Sequence, residues 1–288
     1  MSNLKIFRNG INWPFKSFIF PGGEIGVKLE ISPVAFASKT GLYANTQSQT
    51  ILARLTNSSD IMELVMLTDA LRRIDKTPIE LVMPYIPYAR QDRVCDCGEA
   101  FSLKAFSRLI NSLGFSKITV VDPHSNVSDG VFDNLEIITQ FQIINKWTKF
   151  ISRVMGAKFI SPDAGSNKKV SDLAKFFNHN DFVRADKLRD LSTGKIIETL
   201  VYKDDFLGQD VVIADDICDG GRTFIELAKI LKKKNCGKII LYITHGIFSQ
   251  GIEALLSNGI DEIWFTDSFR TDLKETDRVH IFNLESII

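Results

Sequence analysis

The tightest constraint on this chain is a repeated alternation of two hydrophobic patterns. Short, mostly apolar runs occur at Ile79–Pro84 (IELVMP), Lys117–Val121 (KITVV), Phe159–Ser161, Asp210–Ala214, Lys238–Ile243 and Glu262–Phe265. Runs apolar on both faces suit parallel strands covered by helices. Between them lie segments with helical spacing. Ser59–Ile74 places Ile61, Leu64, Val65 and Leu71 on one face behind a Ser-Ser-Asp start. A second helix begins at Ser102, lines up Phe106, Leu109, Ile110 and Leu113, and stops at Gly114. A third covers Thr223–Leu231 and ends in Lys232, Lys233 and Lys234, a solvated end favoured by the helix dipole. The expected fold class is α/β, with mainly parallel sheets flanked by helices.

A length of 288 residues suits two domains rather than one. A weak internal echo, KITVVDPH at Lys117–His124 and KIILYITH at Lys238–His245, fits two copies of one unit. The division is expected near residues 140–150, giving domains 1–145 and 146–288. Lys+Arg and Asp+Glu both number 35, so there is no basic surplus for nucleic acid or a membrane surface. Four cysteines in a chain this long form no disulfide framework and are read as reduced. Cys95 and Cys97 make a C-x-C without a second ligand pair, which argues against zinc. The opening residues MSNLKIFRNGINWPFK lack a leader core, and no apolar run is long enough to span a bilayer. A cytoplasmic location is the expectation.

In open parallel sheets, ligands collect beyond the carboxyl ends of the strands. Five such ends carry polar, charged or glycine residues. They are Arg90-Gln91-Asp92-Arg93, Asp122-Pro123-His124, Pro162–Ser166 with Lys168 and Lys169, Asp215–Thr223, and Thr244-His245-Gly246. One strand-end aspartate is ordinarily a helix cap, and a lone His245 is ordinarily a packed histidine. Capping does not explain five such ends together. His179 and His280 have no chemical context and are read as surface or packing residues.

The segment DDICDGGRT (Asp215–Thr223) is the most informative. Gly220 and Gly221 let successive amides converge on one point, and the following helix aims its positive end there. Thr223 adds a hydroxyl donor. Such a cradle suits phosphate, which Asp215 and Asp216 would repel. The acids therefore meet sugar hydroxyls, either directly or through Mg²⁺. A sugar phosphate satisfies both halves. No G-x-x-x-x-G-K-[ST] is present, so this is not a P-loop.

Those residues resemble the ribose-phosphate diphosphokinase (phosphoribosyl pyrophosphate synthetase) family. The likeness rests on PYIPYARQDR (Pro84–Arg93), VVDPHS (Val120–Ser125), SPDAGSNKKV (Ser161–Val170) and THGIFS (Thr244–Ser249), together with the Asp-Asp loop shared with phosphoribosyltransferases. It implies two phosphoribosyltransferase-type domains, ATP on the N-terminal side, ribose 5-phosphate on the C-terminal side, and diphosphoryl transfer that yields AMP. It assigns Arg90, Gln91 and Asp92 to ATP, and His124 and Asp163 to Mg²⁺ and the ATP phosphates. Asp215, Asp216, Asp219, Gly220, Gly221, Arg222 and Thr223 fall to ribose 5-phosphate. FPGGE (Phe20–Glu24) resembles the adenine loop, with Phe20 stacking on the base and Glu24 meeting it, reaching into a neighbouring subunit of a dimer or hexamer. Asp186-Lys187-Leu188-Arg189 resembles the catalytic D-K-x-R of a mobile loop, which makes Lys187 and Arg189, with His124, the catalytic candidates.

Some positions depart from the family pattern. Arg222 stands where glycine is usual and one threonine donor is lost. Gly22 and Cys95 replace polar ATP-side residues, Asp96 being a substitute for the latter, and Val94–Ala100 lacks the usual basic residues. The chain ends at Ile288, before the helix that builds the allosteric site in regulated members, which implies weak or absent ADP allostery. Two other functions share parts of this pattern. A phosphoribosyltransferase would need the Asp-Asp loop but not Arg90-Gln91 or paired domains. A non-catalytic regulatory homologue would be expected to have lost the catalytic residues, which are present here.

Overall fold

A computed structural model describes residues 3–30, 49–74, 76–179, 181–189 and 196–287. The chain divides into two compact units, Met1–Ile138 and Thr139–Ile288.

The first unit contains β1 (Leu4–Arg8), β2 (Ile11–Trp13), β3 (Phe15–Ile19), β4 (Ile25–Leu29), β5 (Gln49–Ala53), β6 (Ile79–Met83), β7 (Lys117–Val121) and β8 (Leu135–Ile138). One sheet runs β2-β1-β5-β6-β7-β8. From β5 to β8 it is parallel, and β1 and β2 close its other edge in antiparallel fashion. The short apolar runs supply the central strands because both faces of the sheet are covered. Among the described residues the unit also holds helices α1 (Ser58–Arg72), α2 (Ser102–Ser112) and α3 (Val127–Val131). The cap of α1 is Asn57, whose side chain accepts from the Asp60 amide at 3.1 Å, one residue before the Ser-Ser pair. Leu64, Leu67 and Leu71 of α1 and Leu103, Phe106 and Ile110 of α2 pack on Leu81, Ile118 and Val120 of the sheet. Strands β3 and β4 form a separate hairpin. Gly26 faces Phe18 there, and a Cβ at Gly26 would lie 2.4 Å from the Phe18 ring.

The second unit contains helices α4 (Gln140–Lys146), α5 (Thr148–Val154), α6 (Asn167–Phe176), α7 (Arg222–Lys233) and α8 (Glu253–Leu256). Its strands are β9 (Lys158–Ser161), β10 (Val183–Arg189), β11 (Ile196–Val201), β12 (Val211–Cys218), β13 (Ile239–Gly246), β14 (Glu262–Thr266) and β15 (Val279–Phe282). The sheet order is β11-β10-β9-β12-β13-β14-β15, parallel except for β11. Trp147, Phe150, Tyr242, Trp264 and Phe282 pack ring on ring on one side, with centroids 4.9–5.7 Å apart. At the N-terminal ends of the strands, Arg153 bonds Asp210 at 3.1 Å and Glu262 at 2.8 Å. Burial pushes the Glu262 carboxyl up, but the hydrogen bond and charge of Arg153, with smaller help from Trp264 and Lys238, together outweigh it and leave Glu262 below its ordinary value.

Two expectations are corrected here. The central strand does not stop at Ala214. It continues through Cys218, because β13 supplies partners beyond that point and pairs His245 with Ile217 and Gly246 with Cys218. Asp215 and Asp216 are therefore strand residues, and the turn begins at Asp219. The segment Asp186–Arg189 is likewise not a loop. It lies on β10, where Lys187 pairs with Thr199 and Leu188 with Glu198 of antiparallel β11.

Candidate active site

In the first unit, the strand ends build one cavity. After β6 the chain turns at Tyr88, whose φ is 63°, and the Gln91 amide donates to the Tyr88 carbonyl at 2.9 Å. The Gln91 carbonyl in turn accepts from Leu103 in the first turn of α2. These bonds hold Arg90, Gln91 and Arg93 exposed above a buried Asp92. After β7, Asp122 has φ 37° and its amide donates to Ile138, which directs the chain into His124. Arg90, Gln91, Asp92, Arg93, Cys95, Glu99 and His124 line a cavity of about 440 Å³. Arg93 donates to Asp92 at 2.9 Å, and that hydrogen bond holds the Asp92 carboxyl below its ordinary value despite burial. His124 adds to the same lowering through its charge. Four of the residues expected on the ATP side are thus brought together.

The other two, Phe20 and Glu24, close the tip of the β3–β4 hairpin. The Phe20 amide donates to the Glu24 carbonyl at 2.8 Å, and Gly23 donates back to Phe20. Ile19 is 69% exposed and Phe20 49%, with the Phe18 ring edge-on at 5.1 Å.

In the second unit, the ends of β9, β12 and β13 meet. Ser166 is buried, and its hydroxyl sits between two acids, 2.8 Å from Asp215 Oδ1 and 3.2 Å from Asp163 Oδ1. The Ser166 amide also donates to Asp163. Lys169 Nζ lies 3.7 Å from Asp216 Oδ2. Burial, then the adjacent Asp216, then Asp163, push the Asp215 carboxyl well above its ordinary value, against a smaller opposing effect of Ser166. Such crowding of acids marks a place that expects positive charge or hydroxyl donors. Ser166 and Lys169 stand among the strand-end residues read from the sequence, but no role was assigned to them there. Their signal was the strand-end run SPDAGSNKK, in which they follow Asp163 by three and six positions and open α6 over β12.

Beyond the acids, Gly221 caps α7 in the left-handed region at φ 76°. Helix α7 is amphipathic and buries Phe224, Leu227, Ala228 and Leu231. Its N-terminus therefore points beside Asp219 and Thr223, as a phosphate cradle requires. Arg222 is 87% exposed and its guanidinium lies 3.8 Å from Glu226. His245 is buried against Ser268 Oγ at 2.9 Å, a packed histidine. His280 is buried as well, lying on Trp264 and 3.3 Å from Lys149. Lys187 and Arg189 have their backbone on β10; their side chains lie outside the described residues.

Residues 46–114 match the N-terminal domain of ribose phosphate pyrophosphokinase, and residues 191–287 match the phosphoribosyl synthetase-associated domain. The ribose-phosphate pyrophosphokinase of Hyphomonas neptunium is 31% identical over 220 residues, covering 74% of this chain and 68% of the relative. The chain belongs to the ribose-phosphate pyrophosphokinase family. The enzyme of that name from Pasteurella multocida is 28% identical over 80% of this chain and 74% of its own length. The crystal structure of phosphoribosylpyrophosphate synthetase from Mycobacterium smegmatis superimposes with a TM-score of 0.80, at 20% identity, over 97% of this chain and 89% of that one. The fold is thus the family's: two phosphoribosyltransferase-type domains, each with a mostly parallel sheet flanked by helices. Like its relatives, the chain is a transferase.

Among the described residues, no three His, Cys, Asp or Glu side chains are grouped to hold a metal, and no helix is long and apolar enough to cross a membrane. The first point is compatible with Mg²⁺, which keeps several waters and binds through one or two protein groups plus substrate phosphates. The Asp163–Ser166–Asp215 arrangement offers carboxylate oxygens of that kind.

Proposed function

We propose that this chain carries out the family's reaction with the residues assembled at its strand ends. The β,γ-diphosphoryl group of ATP passes to the C1 hydroxyl of ribose 5-phosphate, giving phosphoribosyl pyrophosphate and AMP. One observation carries the reading: Asp215 and the buried Asp216 lie near the end of β12, ahead of the turn with Gly220 and Gly221 that opens α7. The acids suit ribose hydroxyls and the turn suits the 5-phosphate.

In this reading Asp215, Asp216 and Asp219 receive the hydroxyls, while the amides of Gly220, Gly221 and Arg222 with the Thr223 hydroxyl hold the phosphate. Arg222 contributes its backbone, since its side chain faces solvent beside Glu226. Arg90, Gln91 and His124 hold ATP, with Asp92 fixing Arg93 at the cavity wall. His124 and Asp163 would hold Mg²⁺, which when bound neutralises phosphate charge. Lys187 and Arg189 supply cations to the transferring group. Diphosphoryl transfer needs positioning and charge stabilisation rather than covalent help from the protein.

The apolar tip at Ile19 and Phe20 supports the further reading that Phe20 and Glu24 complete a neighbouring subunit's adenine site in a homo-oligomer. The even charge balance and reduced cysteines support a cytoplasmic location. The deciding experiment incubates the protein with ATP, Mg²⁺ and ribose 5-phosphate, without any nucleobase, and follows AMP by mass spectrometry. AMP formed in step with phosphoribosyl pyrophosphate is expected. Release of ADP, or no product without a base, would refute the assignment.

A further inference from the structure

The four cysteines are not chemically equivalent. Cys218 is fully buried on β12, and burial pushes its thiol up to about 12. Cys236 is half-buried, and burial raises its thiol as well. Both are poor nucleophiles, because the thiolate is the reactive form. Cys95 and Cys97 are exposed and unbridged.

The exposed pair sits on a built turn. The Glu99 amide donates to the Asp96 carbonyl at 3.2 Å, and Gly98 takes φ 90°, so Cys97 occupies the corner of a tight turn. The Glu99 carboxylate accepts from the Cys95 amide at 2.9 Å and the Asp96 amide at 3.1 Å. These two backbone bonds hold Glu99 below its ordinary value. Cys95 then lines the 440 Å³ cavity with Arg90, Gln91, Arg93 and His124, within electrostatic reach of the Arg93 guanidinium. Cys95 lines the cavity and Cys97 stands two residues along the same turn. That is the layout of an attacking and a resolving cysteine.

We propose that Cys95–Cys97 is a thiol-modification site on the wall of the nucleotide cavity, which takes up a small-molecule disulfide of the oxidised-glutathione class, and that modification and ATP exclude one another. The inference rests on the nucleotide reading of this cavity. The chemistry balances in two exchanges. The Cys95 thiolate attacks one sulfur of the small disulfide, the S–S bond breaks, and one small thiol leaves. The Cys97 thiolate then attacks the Cys95 sulfur and expels the second small thiol. Two protein thiols lose two electrons in total, and the small disulfide gains them. Cavities of this size hold a single small ligand, so the mixed disulfide occupies space that ATP needs. Closing the Cys95–Cys97 ring instead draws together the backbone that Glu99 clasps and shifts Arg93, two residues upstream. Exposed disulfides are the readily reduced ones, so the change reverses with added thiol.

The test treats the full-length reduced protein with oxidised glutathione, with and without MgATP, and reads the tryptic peptide Val94–Lys104 by mass. That peptide should lose two hydrogens in the wild type. In Cys97→Ser it should instead carry one glutathione on Cys95, while the untreated variant turns over like the wild type. ATP held at about ten times its Kd should slow either change about tenfold. AMP formation should fall with the modification and return with dithiothreitol. ATP binding to the reduced protein is measured by calorimetry on the same preparation. If ATP binds but gives no protection, or if Cys236 is modified first, the inference is overturned and the nucleotide reading stands. If no ATP binds, the nucleotide reading falls, while a change confined to Val94–Lys104 upholds the thiol site.

Discussion

Replacing Gly221 with alanine tests the turn on which the proposed sugar-phosphate site depends. Two costs can be worked out. Gly221 has φ 76°, and holding an L-residue there costs about 1–2 kcal/mol. Its added Cβ would lie 2.8 Å from Leu255 Cδ2 and 3.2 Å from Cγ. Leu255 is buried in the core with Phe248 and Leu256 and has little room to yield, so overpacking adds about 1–3 kcal/mol. The total is about 2–5 kcal/mol. Gly220 is the matched control. It is exposed, its φ is not in the left-handed region, and its Cβ would meet nothing nearer than Gln250 Cγ at 3.6 Å. Gly220→Ala should stay within about 0.5 kcal/mol of the parent. The assay is urea unfolding followed by tryptophan fluorescence in a Trp13→Phe background. The remaining tryptophans, Trp147 and Trp264, both report on the second unit. Gly221→Ala should lower the midpoint by about 1–2 M. Coincident midpoints for the two variants would refute the argument from backbone and Leu255.

Other outcomes follow from the same structure. Lys187→Ala should cut kcat by about 10²–10³-fold with nearly unchanged ATP affinity, because its proposed role is in the transition state; rapid-quench kinetics beside ATP titration would show whether the losses are instead equal, which would count against the role. Asp215 has its folded-state carboxyl raised, so the unfolded chain ionises first, and stability declines as pH rises from about 4 through the folded value. Asp215→Asn removes that penalty and should make the metal-free protein more stable than wild type at pH 7; equal urea midpoints would contradict this. Arg153→Met should destabilise the second unit by about 2–4 kcal/mol, since Glu262 is only 11% exposed and Arg153 itself 24%. The KM for ribose 5-phosphate should not change, because that ion pair lies at the opposite ends of the strands from Asp215; a shifted KM would refute the separation.

The sequence by itself determined the class of fold and which residues stand at the carboxyl ends of its strands. The run VVIA is apolar at every position, which only a doubly covered strand tolerates, and the residues directly after such runs are where a parallel sheet presents its ligands. The cavity grouping of Arg90, Gln91, Asp92 and His124 was legible on that ground. Edge elements were not. Strands β1 to β4 and β10 to β11 carry mixed patterns, and their partners rather than their own periodicity define them. The same holds for the end of β12, where Ile217 and Cys218 are strand only because His245 and Gly246 stand beside them. Only the tertiary structure decided that Ser166 joins Asp163 to Asp215, that Asp92 is buried under Arg93, and that Cys95 lines the cavity with Arg90 and His124 while Cys218 is buried on β12. Hydrophobic period is a local property of a chain, whereas burial and hydrogen-bond partners are set by residues distant in sequence, and these fix which acids are crowded and which thiol can react.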